Sequence, residues 1–189
     1  MSWIWGGVRD DPAALEQTFN QAALHADAIL TTGGVSVGEA DYVREIMGRL
    51  GEVRFWRIDI KPGRPMAFGR LGHAWLFGLP GNPVAVLVSF YQIVRDALHR
   101  LQGLDPLPVR PSLRVPCDSP IRKLPGRREF PRGVLVQVDG LWRVSLSGNQ
   151  GSGVLRSVTD ANCFICLPED SASVRAGDLV EVHPFEGLL

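Results

Sequence analysis

The sequence predicts an α/β domain, a mainly parallel sheet flanked by helices, followed by a small all-β domain, a barrel or a sandwich. Three observations carry that expectation. Up to about Leu101, short apolar runs alternate with stretches whose apolar residues recur at helical spacing, the order that layers helices on a parallel sheet. Gly103–Pro111 then brings three prolines and breaks the pattern. From Ser112 onward only short strand-like runs occur, separated by turn residues. The expected domains are 1–103 and 104–189.

Met1–Val8 is short, with Trp3 and Trp5 beside a double glycine. Pro12 suits the first position of a helix capped by Asp11, with Leu15, Phe19, Ala22 and Ala23 on its apolar face. Ala28–Thr32 is a short buried strand. It runs into Gly33-Gly34-Val35-Ser36-Val37-Gly38, and a helix pattern follows at once in Val43, Ile46, Met47 and Leu50, with Gly51 as its stop. Strand, Gly-rich loop and helix together aim backbone N–H groups at an anion. Glu39 and Asp41 lie where a phosphate would also sit, and carboxylates tolerate a phosphate only across a cation, which points to Mg²⁺. The other reading is a tight turn whose two acids favour the helix dipole.

Glu52–Ile60 alternates around Val53, Phe55, Ile58 and Ile60 as a strand does. It leads to Lys61-Pro62-Gly63-Arg64-Pro65, where a Pro-Gly turn projects two cations from a stiff backbone. Met66–Phe68 and Ala74–Phe77 are further strands, parted by Gly69–Gly72. Gly78-Leu79-Pro80-Gly81-Asn82-Pro83 closes the series, with Asn82 as N-cap and Pro83 as the first residue of a helix reaching about Leu101. That helix is apolar on two sides, which calls for a sheet on one and a second subunit on the other. All three loops follow apolar runs, and ligands bind α/β sheets at strand C-terminal ends.

In the β part, Leu113–Val115, Gly133–Val138, Trp142–Ser147, Val154–Arg156, Ala161–Leu167 and Leu179–His183 read as strands, and Asp139-Gly140 as a hairpin turn. Cys163 and Cys166 have C-x-x-C spacing, but on a strand they face opposite sides and cannot share a metal. They read as core thiols.

Over 189 residues, 20 basic and 20 acidic side chains cancel, leaving no global field to draw in nucleic acid or an anionic membrane. Half the basic residues nevertheless crowd into 54–70 and 121–132, which suggests a local anion site; two solvated faces are the alternative. With no signal peptide and no long apolar run, the expected location is cytoplasmic.

Thr32–Gly38 followed by Asp41, then Lys61–Pro65, then Gly78–Pro83, in this order and spacing, resemble the molybdopterin molybdenumtransferase family, whose animal counterpart is gephyrin's C-terminal region. Phe130-Pro131-Arg132-Gly133, Asn149–Gly153 and Ala176-Gly177-Asp178 resemble the family's C-terminal barrel. The resemblance implies the last step of molybdenum cofactor synthesis. Adenylylated molybdopterin binds, its pyrophosphate bond breaks in a Mg²⁺- and molybdate-dependent way, AMP leaves, and molybdenum enters the dithiolene. It also implies a homodimer.

On that resemblance Asp41 and Asp10 hold Mg²⁺ and, with Lys61, are the catalytic set. Gly33, Gly34, Ser36 and Gly38 cradle phosphate, while Lys61 and Arg64 meet the molybdate dianion. Pro80, Gly81, Asn82 and Pro83 shape the loop over the substrate, Arg57 is a basic position of the cleft, and Arg132 and Ser152 reach in from the barrel. Asp10 as a plain turn residue and Arg57 as a solvated partner of Asp59 are the competing readings. Arg64 stands where lysine is commoner, and its planar fork clamps oxyanions differently.

Family members carry two further domains ahead of this match, and the first βα unit of the α/β domain. The chain is therefore expected to be the C-terminal portion of such an enzyme, truncated and inactive alone. A non-catalytic remnant that holds molybdopterin or a partner is the second reading. A molybdopterin adenylyltransferase, which lacks the appended barrel, is the third.

Overall fold

The computed structural model describes residues 4, 6–9, 11–34, 42–151 and 156–185. By packing, the chain forms two units, Met1–Ile58 with Gly63–Gly81, and Asp59–Pro62 with Asn82–Leu189.

The first unit begins as the sequence indicates. Asp11 caps α1 (Pro12–His25), its carboxylate accepting the Ala14 N–H at 2.9 Å. Next come β1 (Ala28–Thr32), α2 (Tyr42–Leu50) and β2 (Glu52–Arg57). After β3 (Ile60–Lys61), which belongs to the second unit, the chain returns for β4 (Pro65–Leu71) and β5 (Ala74–Leu79). Leu15, Phe19 and Ala22 of α1 and Ile46 and Met47 of α2 share one core with Ile29, Ala67, Leu71, Ala74 and Leu76. Both helices therefore cover the same face of the sheet. On the opposite face Phe68 stacks on Trp75, and the Arg70 guanidinium lies 4.9 Å above the Trp75 ring. Gly51 does more than end a helix: a Cβ there would sit 2.0 Å from the Arg70 carbonyl oxygen.

The expectation of a mainly parallel sheet is corrected. The order is β1-β5-β4-β2, and β1–β5 is parallel, whereas β5–β4 and β4–β2 are antiparallel. The cause is connection length. Leu71 pairs with Ala74 across the Gly72–His73 turn, where Gly72 has φ +58°, and so short a link can join only antiparallel neighbours. The stretch 69–72, read as a separator, is the end of β4 and its turn. The β2–β4 link, 58–64, is longer, but its two ends are pinned together, with the Ile58 N–H donating to the Arg64 carbonyl at 2.8 Å.

In the second unit the expected helix to Leu101 has three parts. They are α3 (Pro83–Ser89), a π-helical turn at Phe90–Val94 and α4 (Arg95–Leu101). The Arg95 N–H bonds to the Phe90 carbonyl five residues back. Tyr91 packs on Phe164 and Phe185. The strands are β6 (Leu113–Pro116), β7 (Arg128–Glu129), β8 (Arg132–Val138), β9 (Leu141–Leu146), β10 (Cys163–Cys166) and β11 (Leu179–Pro184). A single helical turn, α5 (Arg156–Thr159), stands where a strand was expected to end at Arg156. Asp139 and Gly140 have φ 49° and 79°, the paired left-handed conformations of a type I′ hairpin, as the sequence indicates.

The large sheet runs β6-β11-β10-β8-β9 and does not close into a barrel, a second correction. Its edges meet at the isolated bridge Cys117–Val144, with the Asp118 N–H donating to the Val144 carbonyl at 2.8 Å. Beyond that point the Ser119 hydroxyl takes the Leu146 N–H at 3.0 Å, so a side chain replaces the next rung of a ladder. Cys117, Cys163 and Cys166 are buried free thiols, Cys163 and Cys166 as expected, and Cys117 and Cys163 belong to this sheet's core. Gly133 is required by packing, since a Cβ would lie 2.8 Å from Val144 and 2.9 Å from the Cys163 sulfur. Among the described residues no helix is long and apolar enough to cross a membrane.

Candidate functional site

The predicted site residues fall on both units. In the first, parallel pairing aligns Thr31 with Gly78 and Thr32 with Leu79, so β1 and β5 end side by side. Their loops therefore start at one edge, the strand C-terminal edge where α/β sheets bind ligands. Gly33 and Gly34 have φ +86° and +67°, conformations that side-chain-bearing residues avoid. The Gly33 N–H donates to the Leu79 carbonyl at 3.1 Å, and a Cβ on Gly81 would lie 3.5 Å from the Gly33 Cα. Gly33 thus joins the two loops, and its own amide is committed to the Leu79 carbonyl. Pro80 is buried just before Gly81. Arg57 and Arg64 are exposed and flank the β2–β4 connection, where Arg57 pairs with Pro65. Asp10, Ser36, Gly38, Asp41 and Ser152 lie outside the described residues.

In the second unit Asn82 is the N-cap of α3, its Oδ1 accepting from the Val84 and Ala85 amides at 2.9 and 3.3 Å. Pro83 follows as the first helical residue. Lys61 and Arg132 come together at a cleft of about 500 Å³, which Arg122, Glu129, Phe130 and Gln150 also line. β3 and β7 form a two-residue parallel ladder that sets Lys61 opposite Glu129. The Lys61 ammonium lies 3.2 and 3.3 Å from the two Glu129 carboxylate oxygens.

Arg132 is 2% exposed. Its guanidinium donates to the Asn149 and Gly151 carbonyls at 3.2 and 3.4 Å, and its backbone exchanges hydrogen bonds with the Gln150 side chain. Burial lowers its pKa from the usual arginine value. The side chain thereby shapes the 149–151 loop that forms one wall of the cleft.

Sequence reasoning missed Glu129 and Gln150. Glu129 was visible only as the single acid within a basic run. The anion-site reading of 121–132 also needs correcting for one residue. Lys123 is 4% exposed, and its ammonium donates to the Leu124, Glu169 and Ser171 carbonyls at 3.3, 3.2 and 3.0 Å. It ties a loop, its ammonium committed to these three carbonyls. Among the described residues no three His, Cys, Asp or Glu side chains gather as metal ligands. Glu129, the acid of the cleft, is taken by Lys61, a partner that opposes a second cation there. The described residues therefore do not make a Mg²⁺ seat.

Residues 5–100 match the family described as a probable molybdopterin binding domain, and residues 114–185 match the MoeA C-terminal region, domain IV. A molybdopterin molybdenumtransferase of Haemophilus influenzae is 41% identical over 97% of this chain and 46% of its own length. Molybdopterin molybdenumtransferase 2 of Mycobacterium tuberculosis is 35% identical over 92% of this chain and 44% of its own. The molybdopterin biosynthesis MoeA protein of Pyrococcus horikoshii superposes with a TM-score of 0.73 at 26% identity, over 97% of this chain and 41% of that one. The chain thus spans about half the length of the curated relatives it matches.

Proposed function

Since the chain belongs to the molybdopterin molybdenumtransferase family, we propose that it supplies the phosphate-loop and oxyanion parts of a site that inserts molybdate into adenylylated molybdopterin with release of AMP. The observation that carries this reading is the cleft of about 500 Å³ that presents the cations Lys61 and Arg122, with buried Arg132 shaping its wall. Clustered cations suit a dianionic oxyanion, and the charge-assisted bonds they offer are about twice as strong as neutral ones.

Lys61 holds and orients the molybdate oxygens, and Arg64, exposed on its turn, adds a planar fork for the same dianion. The loops after β1 and β5 receive the phosphates. Because the Gly33 amide is occupied, Gly34 and the residues after it through Ser36 and Gly38 supply the donors. Pro80 to Pro83 fix the second loop, Arg57 adds charge, and Arg132 and Ser152 are the residues assigned from the β part. In this reading 1–103 and 104–189 are the functional domains, although by packing Asn82–Leu101 goes with the β part. Asp41 and Asp10 are the residues assigned to Mg²⁺, and the assembly is a homodimer. The β part separates this reading from an adenylyltransferase, which lacks it.

Calorimetry tests it. Lys61→Ala and Arg64→Ala should each weaken molybdate binding about tenfold or more, the loss of a charge-assisted contact of roughly 1.5–3 kcal/mol, while AMP binding changes far less. Equal losses for both ligands would assign the turn to the phosphates. Mg²⁺-dependent AMP binding that survives Asp41→Asn would remove the metal role of that acid, and light scattering checks the dimer.

A further inference from the structure

Lys61, which the proposed function assigns to an oxyanion, already touches an anion of the chain itself. We propose that Glu129 is a positioning residue for Lys61, a resident carboxylate that fixes the ammonium at the cleft and competes with the incoming oxyanion for it. The inference rests on that assignment of Lys61.

Lys61 and Glu129 are direct partners on the β3–β7 ladder, and the Phe130 N–H donates to the Lys61 carbonyl at 2.9 Å. On its other side Glu129 exchanges two backbone hydrogen bonds with Leu167, at 3.0 and 2.9 Å. The acid is therefore held by the main chain on both flanks, whatever its side chain does.

Accessibility is unequal. The Glu129 side chain is 12% exposed and the Lys61 side chain 58%. One partner is anchored and the other remains within reach of a ligand. The contacts, at 3.2 and 3.3 Å, are longer than the roughly 2.7–2.9 Å of a tight ammonium–carboxylate bond. The ammonium is thus shared loosely between both oxygens, an arrangement a tetrahedral oxyanion can displace.

The consequence is an exchange of partners. Without ligand, Glu129 keeps a flexible four-carbon side chain pointed at the cleft. With ligand, the oxyanion takes the ammonium, against repulsion from a largely buried carboxylate whose backbone is held on both flanks. Affinity is lowered and release is helped, because a neighbouring anion is ready to recapture the lysine.

Calorimetric titration of the full chain with molybdate, and separately with inorganic phosphate, tests this. Glu129→Gln keeps the shape and removes the charge. It should tighten oxyanion binding about two- to fivefold, the span of a partly exposed charge pair. The gain should disappear in a Lys61→Met background and persist in an Arg122→Gln background. Glu129→Asp, which retains the charge but retracts it, should gain less, and it serves if the Gln variant fails to fold by circular dichroism. A gain that survives Lys61→Met would reduce Glu129 to a general field and overturn the inference. So would an unchanged or weaker affinity in Glu129→Gln while Lys61→Met abolishes binding, an outcome that leaves the assignment of Lys61 intact. If Lys61→Met binds molybdate as the parent does, that assignment itself falls and the role of Glu129 falls with it.

Discussion

The Gly33 amide donates to the Leu79 carbonyl at 3.1 Å, one step past the last paired residues of β1 and β5. This bond makes the start of the Gly-rich loop an extension of the sheet. Gly33 holds φ +86° with nothing within 4 Å of where a Cβ would stand, so substitution there meets strain and no clash.

Gly33→Ala should therefore cost about 1–2 kcal/mol, the penalty of the left-handed region for an L-residue. Urea unfolding measures it. A loss below about 0.5 kcal/mol would mean that the turn relaxes readily and that its geometry is not set by glycine.

How much of this was legible in the sequence depends on whether the deciding interaction is local. Asp11-Pro12, Asn82-Pro83 and Asp139-Gly140 each specify their cap or turn through neighbours a few residues away, and the structure follows them. Strand direction was misjudged because Gly69–Gly72 reads as a loop, although Gly69 is a strand residue and the turn needs only Gly72 and His73. Closure of the barrel was overestimated because a bridging hydroxyl, that of Ser119, leaves no periodic signal. The site divides in the same way. Lys61 and the glycines announce themselves by motif, whereas Glu129 and Lys123 take their roles from partners far along the chain, Lys61 and the Glu169–Ser171 loop.

The thiols should be inert while the chain is folded. Burial pushes Cys163 and Cys166 up to about 12, and Cys117 is also raised by burial. Only thiolates react at useful rates. A disulfide reagent at pH 8 should modify none of the three cysteines in buffer and all three in urea. Rapid labelling of the native protein would show that the C-x-x-C pair is reachable and reopen a redox or metal role.

Acid should weaken the second unit from about neutrality downward. Burial holds the His183 pKa below its usual 6.5, outweighing the Glu181 carboxylate that supports the charged form. Arg110 and Arg95 also face this ring and lower it further. Below pH 6.5 the unfolded chain thus takes up a proton that the folded one resists, so stability falls with pH until the lowered native value is reached. Glu181 acts at lower pH. The Ser112 hydroxyl, at 2.7 Å, and His183 hold its pKa below the usual 4.5, giving stability that is present above that value and lost as pH falls through the native one. Urea midpoints at pH 7.5 and 5.5 should differ in the parent and differ less in His183→Gln. An unchanged difference would place the acid sensitivity elsewhere.

Lys61 and Lys123 should respond oppositely to the same truncation, although both lie in basic runs. Lys123 is 4% exposed and gives its three hydrogen bonds to the Leu124, Glu169 and Ser171 carbonyls. Truncation strands those acceptors and empties the space of a long side chain. Lys123→Ala should then cost on the order of 2–4 kcal/mol, from hydrogen bonds of a charged donor together with the unpaired carbonyls. The Lys61 side chain is 58% exposed, and its pair with Glu129 is long. Lys61→Ala should stay within about 0.5–1 kcal/mol of the parent in stability while losing most molybdate affinity. Thermal melts and molybdate titrations of the two variants side by side decide the matter. If Lys123→Ala folds normally and binds molybdate poorly, the buried lysine belongs to the binding site and its structural role is wrong.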